Sequence, residues 1–181
     1  MAFPDDPDLI NRFKDGDVSA FEELVRKHQD RIYNLCRYMV QDAQEAQDAA
    51  QDVFLKAYGS LKAFRPDASL YTWLYRIAVN TCLDYRRKAR PEQTEDESVI
   101  DDLASTEPSP EQHYQSKEIG QTIQLALQKL PEQLRAAVVL KEIEDLSYEE
   151  IAKVLDTSIG TVKSRISRAR EELRRLLQKK V

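Results

Sequence analysis

Between Pro91 and Gln115 the chain carries three prolines and no lysine or arginine. Residues 90–116 hold eight acidic side chains against one basic. A stretch of that composition buries too little apolar surface to offset the entropy of ordering it, so it reads as a linker that divides the chain. Each flank is long enough for one small domain. Only four glycines occur in 181 residues, β-branched runs are few, and 33% of the residues are charged, which together favour helices on both sides. The expected architecture is all-α: two small helical domains, residues 1–90 and 116–181, joined by an acidic flexible linker at 91–115.

Apolar spacing supports this on each side. Asp8 to Phe13 reads as a first helix ending at Gly16. The next starts near Asp17 or Ser19 and keeps Phe21, Leu24, Val25, His28, Ile32, Leu35, Cys36 and Met39 on one face. A third begins around Asp42 to Glu45 with Ala46, Ala49, Ala50, Val53, Phe54, Ala57 and Leu61 inward. Its opposite face shows Asp48, Gln51, Asp52, Leu55, Lys56 and Tyr58. Charged faces are usually solvated, yet two large apolar side chains among carboxylates also suit a docking surface.

Beyond Pro66, which bars a continuous helix, Leu70, Trp73, Leu74, Ile77, Ala78 and Thr81 form one buried stripe. Asp67 and Ser69 are good capping residues before it. Tyr71, Tyr75, Arg76, Asn80, Asp84 and Arg87 fall mostly outside the stripe. Rings stack on bases, an amide reads base edges and guanidinium groups neutralise phosphates, so this outer face suits unstacked nucleic acid. It equally suits the half-exposed side of an ordinary core helix. The helix closes on Arg86, Arg87, Lys88 and Arg90, more cations than a helix C-terminus requires, and a backbone contact to DNA accounts for them better.

In the second half, Ile119, Ile123, Ala126, Leu127 and Leu130 mark a helix stopped by Pro131, which suits the first turn of the next one, with Leu134, Ala137, Val138, Val139, Leu140 and Ile143. Ser147-Tyr148-Glu149-Glu150 is a capping box opening a short helix. A turn through Asp156-Thr157-Ser158 leads to a last helix with Val162, Ile166, Ala169, Leu173 and Leu176 inward. From Thr161 to Lys180 it holds eight basic residues against Glu171 and Glu172. Short helix, tight turn and longer basic helix make a helix-turn-helix. Thr161, Lys163, Ser164, Arg165, Ser167, Arg168 and Arg170 sit in its first turns, where a recognition helix meets the major groove.

Other classes find little support. No Ser, His, Cys or carboxylate arrangement reads as catalytic, so an enzyme is not expected, and neither is a metal or cofactor. Cys36 and Cys82 read as reduced core thiols, with His28 and His113 isolated. The acidic start of the chain lacks the apolar core of a signal peptide, and no run approaches the roughly 18 apolar residues of a membrane span, so a cytoplasmic protein is expected. The net charge is −5, with −1 over residues 1–89, −7 over 90–116 and +3 over 117–181. Basic patches on an acidic chain imply that a DNA binder of this kind has help in holding DNA.

Phe64-Arg65 through Tyr71-Thr72-Trp73-Leu74-Tyr75-Arg76-Ile77-Ala78-Val79-Asn80 resembles the promoter-melting loop and helix of extracytoplasmic-function sigma factors, the small initiation factors of bacterial RNA polymerase. Asp48-Ala49-Ala50-Gln51-Asp52-Val53-Phe54-Leu55-Lys56-Ala57-Tyr58 resembles the sigma segment that docks on the clamp helices of the polymerase large subunit. Leu130-Pro131, Leu146 to Ala152 and Gly160 to Arg170 resemble the sigma domain that reads the minus-thirty-five element. The resemblance implies that Asp48, Gln51, Asp52, Leu55 and Lys56 face core RNA polymerase. It implies that the loop from Arg65 to Leu70, with Asp67 and Ser69, acts with Tyr71, Tyr75, Arg76 and Asn80 on the melted minus-ten strand, and that Arg86 and Arg87 meet promoter backbone. A base flipped out of the opened strand would sit beside that loop. Lys163, Ser164, Ser167 and Arg168 would approach bases, with Arg165 and Arg170 at phosphates or in packing. Some relatives place an aromatic where Ser167 stands, so the promoter sequence stays open.

The resemblance also implies an anti-sigma partner, and a linker running through the polymerase's nucleic-acid channels as well as tethering two domains. Two other classes remain. A helix-turn-helix regulator binding operator DNA without polymerase would carry a sensor domain, which residues 17–90 do not resemble. A pure sequestering protein would not need two cationic clusters.

Overall fold

The structure, a computed structural model, describes residues 6–65, 69–89 and 114–178. Pro66, Asp67, Ala68, Arg90 and the acidic linker, on which several sequence expectations fall, lie outside those residues. Among the described residues the chain forms eight α-helices, one 3-10 turn and no strand.

Local chemistry sets the helix ends. α1 (Asp6–Lys14) stops before Gly16, whose φ of +103° favours glycine. α2 (Val18–Met39) is capped by Asp17, whose carboxylate accepts from the Ser19 amide at 3.0 Å. α3 (Ala43–Ser60) is capped by Asp42, accepting from the Glu45 amide at 2.8 Å. A single 3-10 turn, Leu61–Ala63, leads toward α4 (Leu70–Ala89). Ser69 Oγ accepts from the Thr72 amide at 3.1 Å and caps α4, as its sequence position implies.

α5 (Tyr114–Gln128) and α6 (Glu132–Glu142) follow the linker, with Pro131 just outside α6 rather than in its first turn. α7 (Tyr148–Val154) opens on the Ser147–Glu150 capping box. Asp156 takes a left-handed φ of 49° in the turn before α8 (Ile159–Gln178), a conformation Asp tolerates better than most residues.

α1 to α4 pack as one helical unit and α5 to α8 as a second. The first core is built on Leu24, Ile32, Leu35, Val53, Leu61, Leu74 and Ala78, and the second on Leu140, Leu146, Ile151, Val162 and Ile166. Phe13, Phe21 and Tyr58 form a ring cluster with centroids 5.0 to 5.6 Å apart. Cys36 and Cys82 are buried free thiols on α2 and α4, and their mutual hydrogen bond, with burial, pushes the Cys82 thiol up.

Three sequence expectations need correction. His28 is not isolated: its Nε2 lies 3.4 Å from Asp6 Oδ2, and burial nevertheless keeps the imidazole below its usual pKa. Ile123, placed on the inner face of α5, is exposed, as is Leu125. Ile143 caps α6 and is also exposed.

The two units pack on each other, with α2 against α5 and α6 and α4 against α7. No described helix is long and apolar enough to cross a membrane.

Candidate nucleic-acid and docking interfaces

The α3 residues expected to face polymerase divide into two sets. Asp48, Gln51 and Leu55 project outward at i, i+3 and i+7, and Leu55 is 70% exposed. Tyr58 is exposed as well. Asp52 and Lys56, four residues apart, turn toward α4 instead. Asp52 accepts from Tyr85 Oη at 2.9 Å, and burial together with that carboxylate pushes the Tyr85 hydroxyl up to about 12. Lys56 Nζ donates to Thr81 Oγ1 at 3.0 Å and lies 3.8 Å from Asp84. Two of the five residues expected to face polymerase therefore also fasten α3 to α4.

The segment entering α4 is held at its first end. Lys14 Nζ donates to the Phe64 carbonyl at 2.8 Å, and the Phe64 and Trp73 rings meet edge to face at 5.2 Å. Arg65, Ser69, Arg76, Asn80 and Arg87 are exposed along this segment. Arg76 lies 3.2 Å from Asp156 of the α7–α8 turn, and Arg87 pairs with Asp84.

Three residues expected to meet DNA are buried. Tyr71 is 3% exposed and Tyr75 1% exposed, and Arg86 is buried against Glu132 of α6 at 3.1 Å. They share the face of α4 that buries Ala78, Val79 and Cys82, so the buried side of the helix is rotated from the expected stripe, whose Trp73 and Ile77 are only half-buried. Glu144 and Glu132 of the second unit meet the polar ends of these side chains.

On α8, Val162, Ile166 and Ala169 turn inward. Lys163, Ser164, Ser167 and Arg168 then share one exposed face at i, i+1, i+4 and i+5. Arg165 is half-buried, and Arg170, itself exposed, donates to Glu142 at 3.0 and 2.5 Å. The Tyr148 ring lies 5.7 Å from Lys163 Nζ and 5.5 Å from Lys141 Nζ. Ser158 Oγ accepts from the Thr161 amide at 3.1 Å and fixes the start of the helix.

The seam between the units contains residues that sequence reasoning missed. Glu144, in the turn after α6, accepts from Tyr75 Oη and, at 3.3 Å, from Tyr71 Oη. Arg31 Nη1 of α2 donates to Tyr71 Oη at 3.2 Å, its guanidinium 5.6 Å from the ring. Burial pushes the Glu144 carboxyl above the usual range, opposed by the hydroxyls of Tyr75 and Tyr71 and the charge of Arg31. Burial likewise raises both tyrosines.

Arg135 of α6 is fully buried. Its guanidinium donates to the carbonyls of Leu127, Gln128 and Leu130 and, across the seam, of Met39, at 2.8 to 2.9 Å. A lone cation inside Leu134-Arg135-Ala136-Ala137-Val138-Val139-Leu140 was the available signal, since an arginine flanked by apolar residues on both sides needs internal acceptors. Glu144 had no such signal.

These features define a two-part helical protein with a basic helix-turn-helix, the build of a DNA-binding transcription protein. Two family models match in chain order: Sigma-70 region 2 over residues 24–92 and Sigma-70, region 4 over residues 120–173. The RNA polymerase sigma-H factor of Pseudomonas aeruginosa is 44% identical, the match covering 96% of this chain and 94% of that one. The ECF RNA polymerase sigma factor SigW of Bacillus subtilis is 38% identical over 93% of this chain and 95% of its own. Among solved structures, the sigma factor RpoE of Bartonella quintana, in complex with the anti-sigma factor NepR, superposes with a TM-score of 0.71 at 28% identity, covering 89% of this chain and 98% of that one. The chain belongs to the extracytoplasmic-function sigma factors.

Proposed function

We propose that this protein directs core RNA polymerase to specific promoters and helps open the minus-ten region, a regulatory role carried out in the cytoplasm without chemistry of its own. The observation that carries this reading is the match to both sigma regions, in order, on a chain whose α8 presents Lys163, Ser164, Ser167 and Arg168 to solvent. Residues 1–90 form the polymerase-docking and melting domain, 91–115 the linker and 116–181 the minus-thirty-five domain.

Asp48, Gln51 and Leu55 face polymerase, with Asp52 and Lys56 at the edge of that face where it meets α4. Arg65, Asp67 and Ser69 belong to the strand-capturing loop, and Asn80 and Arg76 continue its path along α4. Tyr71, Tyr75 and Arg86 join them once the second unit moves off. Arg87 meets backbone. In the duplex, Lys163, Ser164, Ser167 and Arg168 approach base edges, and Arg165 meets phosphate. RpoE of Bartonella quintana was solved with an anti-sigma factor, and a partner of that kind is expected here.

Run-off transcription with purified core polymerase on a library of upstream sequences tests the reading. Discrete start sites that depend on this protein establish it. Specific duplex binding by the protein alone, with no start site, refutes it and favours an operator-binding regulator.

A further inference from the structure

The region 2 match starts at residue 24 and the region 4 match at 120, so neither includes α1. That helix is nevertheless fastened to the first unit at both ends. At its start, Asp6 lies 3.1 Å from Lys27 Nζ and 3.4 Å from His28 Nε2 of α2. Near its end, Arg12 donates to Asp17 at 2.9 and 2.7 Å and to Glu23 at 3.1 Å, and Phe13 enters the ring cluster with Phe21 and Tyr58.

Lys14 stands in the last turn of α1, where a cation commonly serves its own helix's final carbonyls. Here the carbonyls of Asn11, Arg12 and Phe13 already accept the amides of Asp15, Asp17 and Gly16 at 2.9 to 3.1 Å. The amine reaches instead to the Phe64 carbonyl, fifty residues on, at 2.8 Å. Local donors for that carbonyl are scarce, since Pro66, two residues further, has no amide hydrogen. The Phe64 amide is spent on Leu61 at 3.1 Å and its ring on Trp73 at 5.2 Å. Phe64 is thus held by amide, carbonyl and ring, immediately before the exposed Arg65.

We propose that Lys14 is a positioning residue for promoter opening: from α1 it fixes the Phe64 carbonyl and so sets where Arg65 leaves the first unit to meet the opened strand. The proposal rests on the sigma-factor reading for what Arg65 meets, but not for the contact itself. Because α1 is anchored at both ends, loss of the amine is felt at Phe64. Lys14 acts through Phe64 and Arg65 and touches no DNA.

Lys14→Met keeps the aliphatic stem and removes the donor, and Lys14→Arg restores one. Both are compared with the unmodified chain, in complex with core polymerase on one promoter, by mobility shift for duplex binding and permanganate reactivity for opening. Trp73, the one tryptophan, is read in the free protein by acrylamide quenching. Lys14→Met should lower opening at least fivefold, leave duplex binding within twofold and raise Trp73 quenching. Lys14→Arg should recover most of each. Lys14 is exposed, so the fold should survive. Arg12→Gln, which loosens the end of α1 and leaves Lys14 in place, should give the same pattern at smaller amplitude.

Arg65→Ala separates positioning from direct contact. Combined with Lys14→Met it should open no worse than Arg65→Ala alone, because one residue acts through the other. Losses that multiply put Lys14 on DNA and overturn the proposal. Opening by Lys14→Met within twofold of the unmodified chain, equal loss of binding and opening, or unchanged Trp73 quenching overturns it as well. Failure of the sigma-factor reading shows differently: the unmodified chain gives no start sites with core polymerase, while Trp73 in the free protein still responds to Lys14→Met.

Discussion

Replacing Arg135 with methionine keeps the apolar stem and removes the guanidinium that four carbonyls share. Leu127 keeps the Leu130 amide at 3.1 Å as an alternative donor, and Gln128 lies where water reaches it. The Leu130 and Met39 carbonyls lose a donor in buried surroundings. An orphaned buried acceptor costs roughly 1–3 kcal/mol, so the two buried losses and weaker damage at the others come to about 4 kcal/mol. The desolvation regained by removing a buried charge lowers that figure without cancelling it.

Against the roughly 5–15 kcal/mol stability of a small domain, this is a large loss. At a urea dependence of about 2 kcal/mol per molar, the second unit should unfold about 2 M earlier. Trp73, the one tryptophan, packs on Phe64 and reports the first unit, while far-ultraviolet circular dichroism reports both. The variant should lose part of its dichroism well before Trp73 responds, because only one of the four bonds crosses the seam. Arg135→Lys should fall between, since one ammonium cannot reproduce the fork. A dichroism midpoint within about 0.5 M of wild type, under ~1 kcal/mol, refutes the reasoning.

Packing of the second unit on the first should weaken as pH rises. Glu144, faced by Arg31 from α2 and by Tyr71 and Tyr75 from α4, has its carboxyl raised by burial in the packed chain, and it returns to the ordinary range when the units part. The packed form then holds the proton more tightly, so its advantage is full at acid pH and is lost as pH climbs through the raised value. Distances between spin labels at Glu22→Cys and Glu171→Cys, both exposed sites, should show more separated units at the upper end of about pH 5 to 8, and Glu144→Gln should flatten the profile while the units stay packed; separation on acidification contradicts this. Leu55→Glu should weaken association with core polymerase at least tenfold in a competition assay while changing stability by under about 0.5 kcal/mol, as an exposed substitution does. Ser147→Ala should cost the second unit about 1 kcal/mol through the lost cap, read by thermal melting. Arg168→Ala should cost roughly 1–3 kcal/mol on the preferred promoter duplex and much less on mixed-sequence DNA, read by anisotropy.

What the sequence showed and what it concealed differ in range. The caps at Asp17, Asp42 and Ser147, the stop at Gly16 and the inward stripes of α2, α3 and α8 depend on residues within a turn or two, so patterning reveals them. The exposed basic face of α8 follows the same way, because its buried side is dictated by Val162, Ile166 and Ala169. Tyr71 and Tyr75 were expected outside the buried stripe and instead lie in line with Ala78 and Cys82, and the partners of Tyr71, Tyr75 and Arg86, Glu144 and Glu132, lie 46 to 73 residues further along, beyond the acidic linker. Periodicity says which way a side chain points and nothing about what arrives there. The same limit hid the pairing of Asp6 with His28, and the use of Gln124 and Gln128 as caps for another helix.

The proposed function divides the labour, with the second unit reading duplex and the α4 segment opening it. It is tested most directly by comparing Asn80→Ala and Arg168→Ala in complex with core polymerase on one promoter, measuring duplex binding by mobility shift and strand opening by permanganate reactivity. Asn80→Ala should bind the duplex nearly as the unmodified protein does but fail to open it. Arg168→Ala should bind weakly and, once bound, open normally. Equal losses of binding and opening in both variants would contradict it.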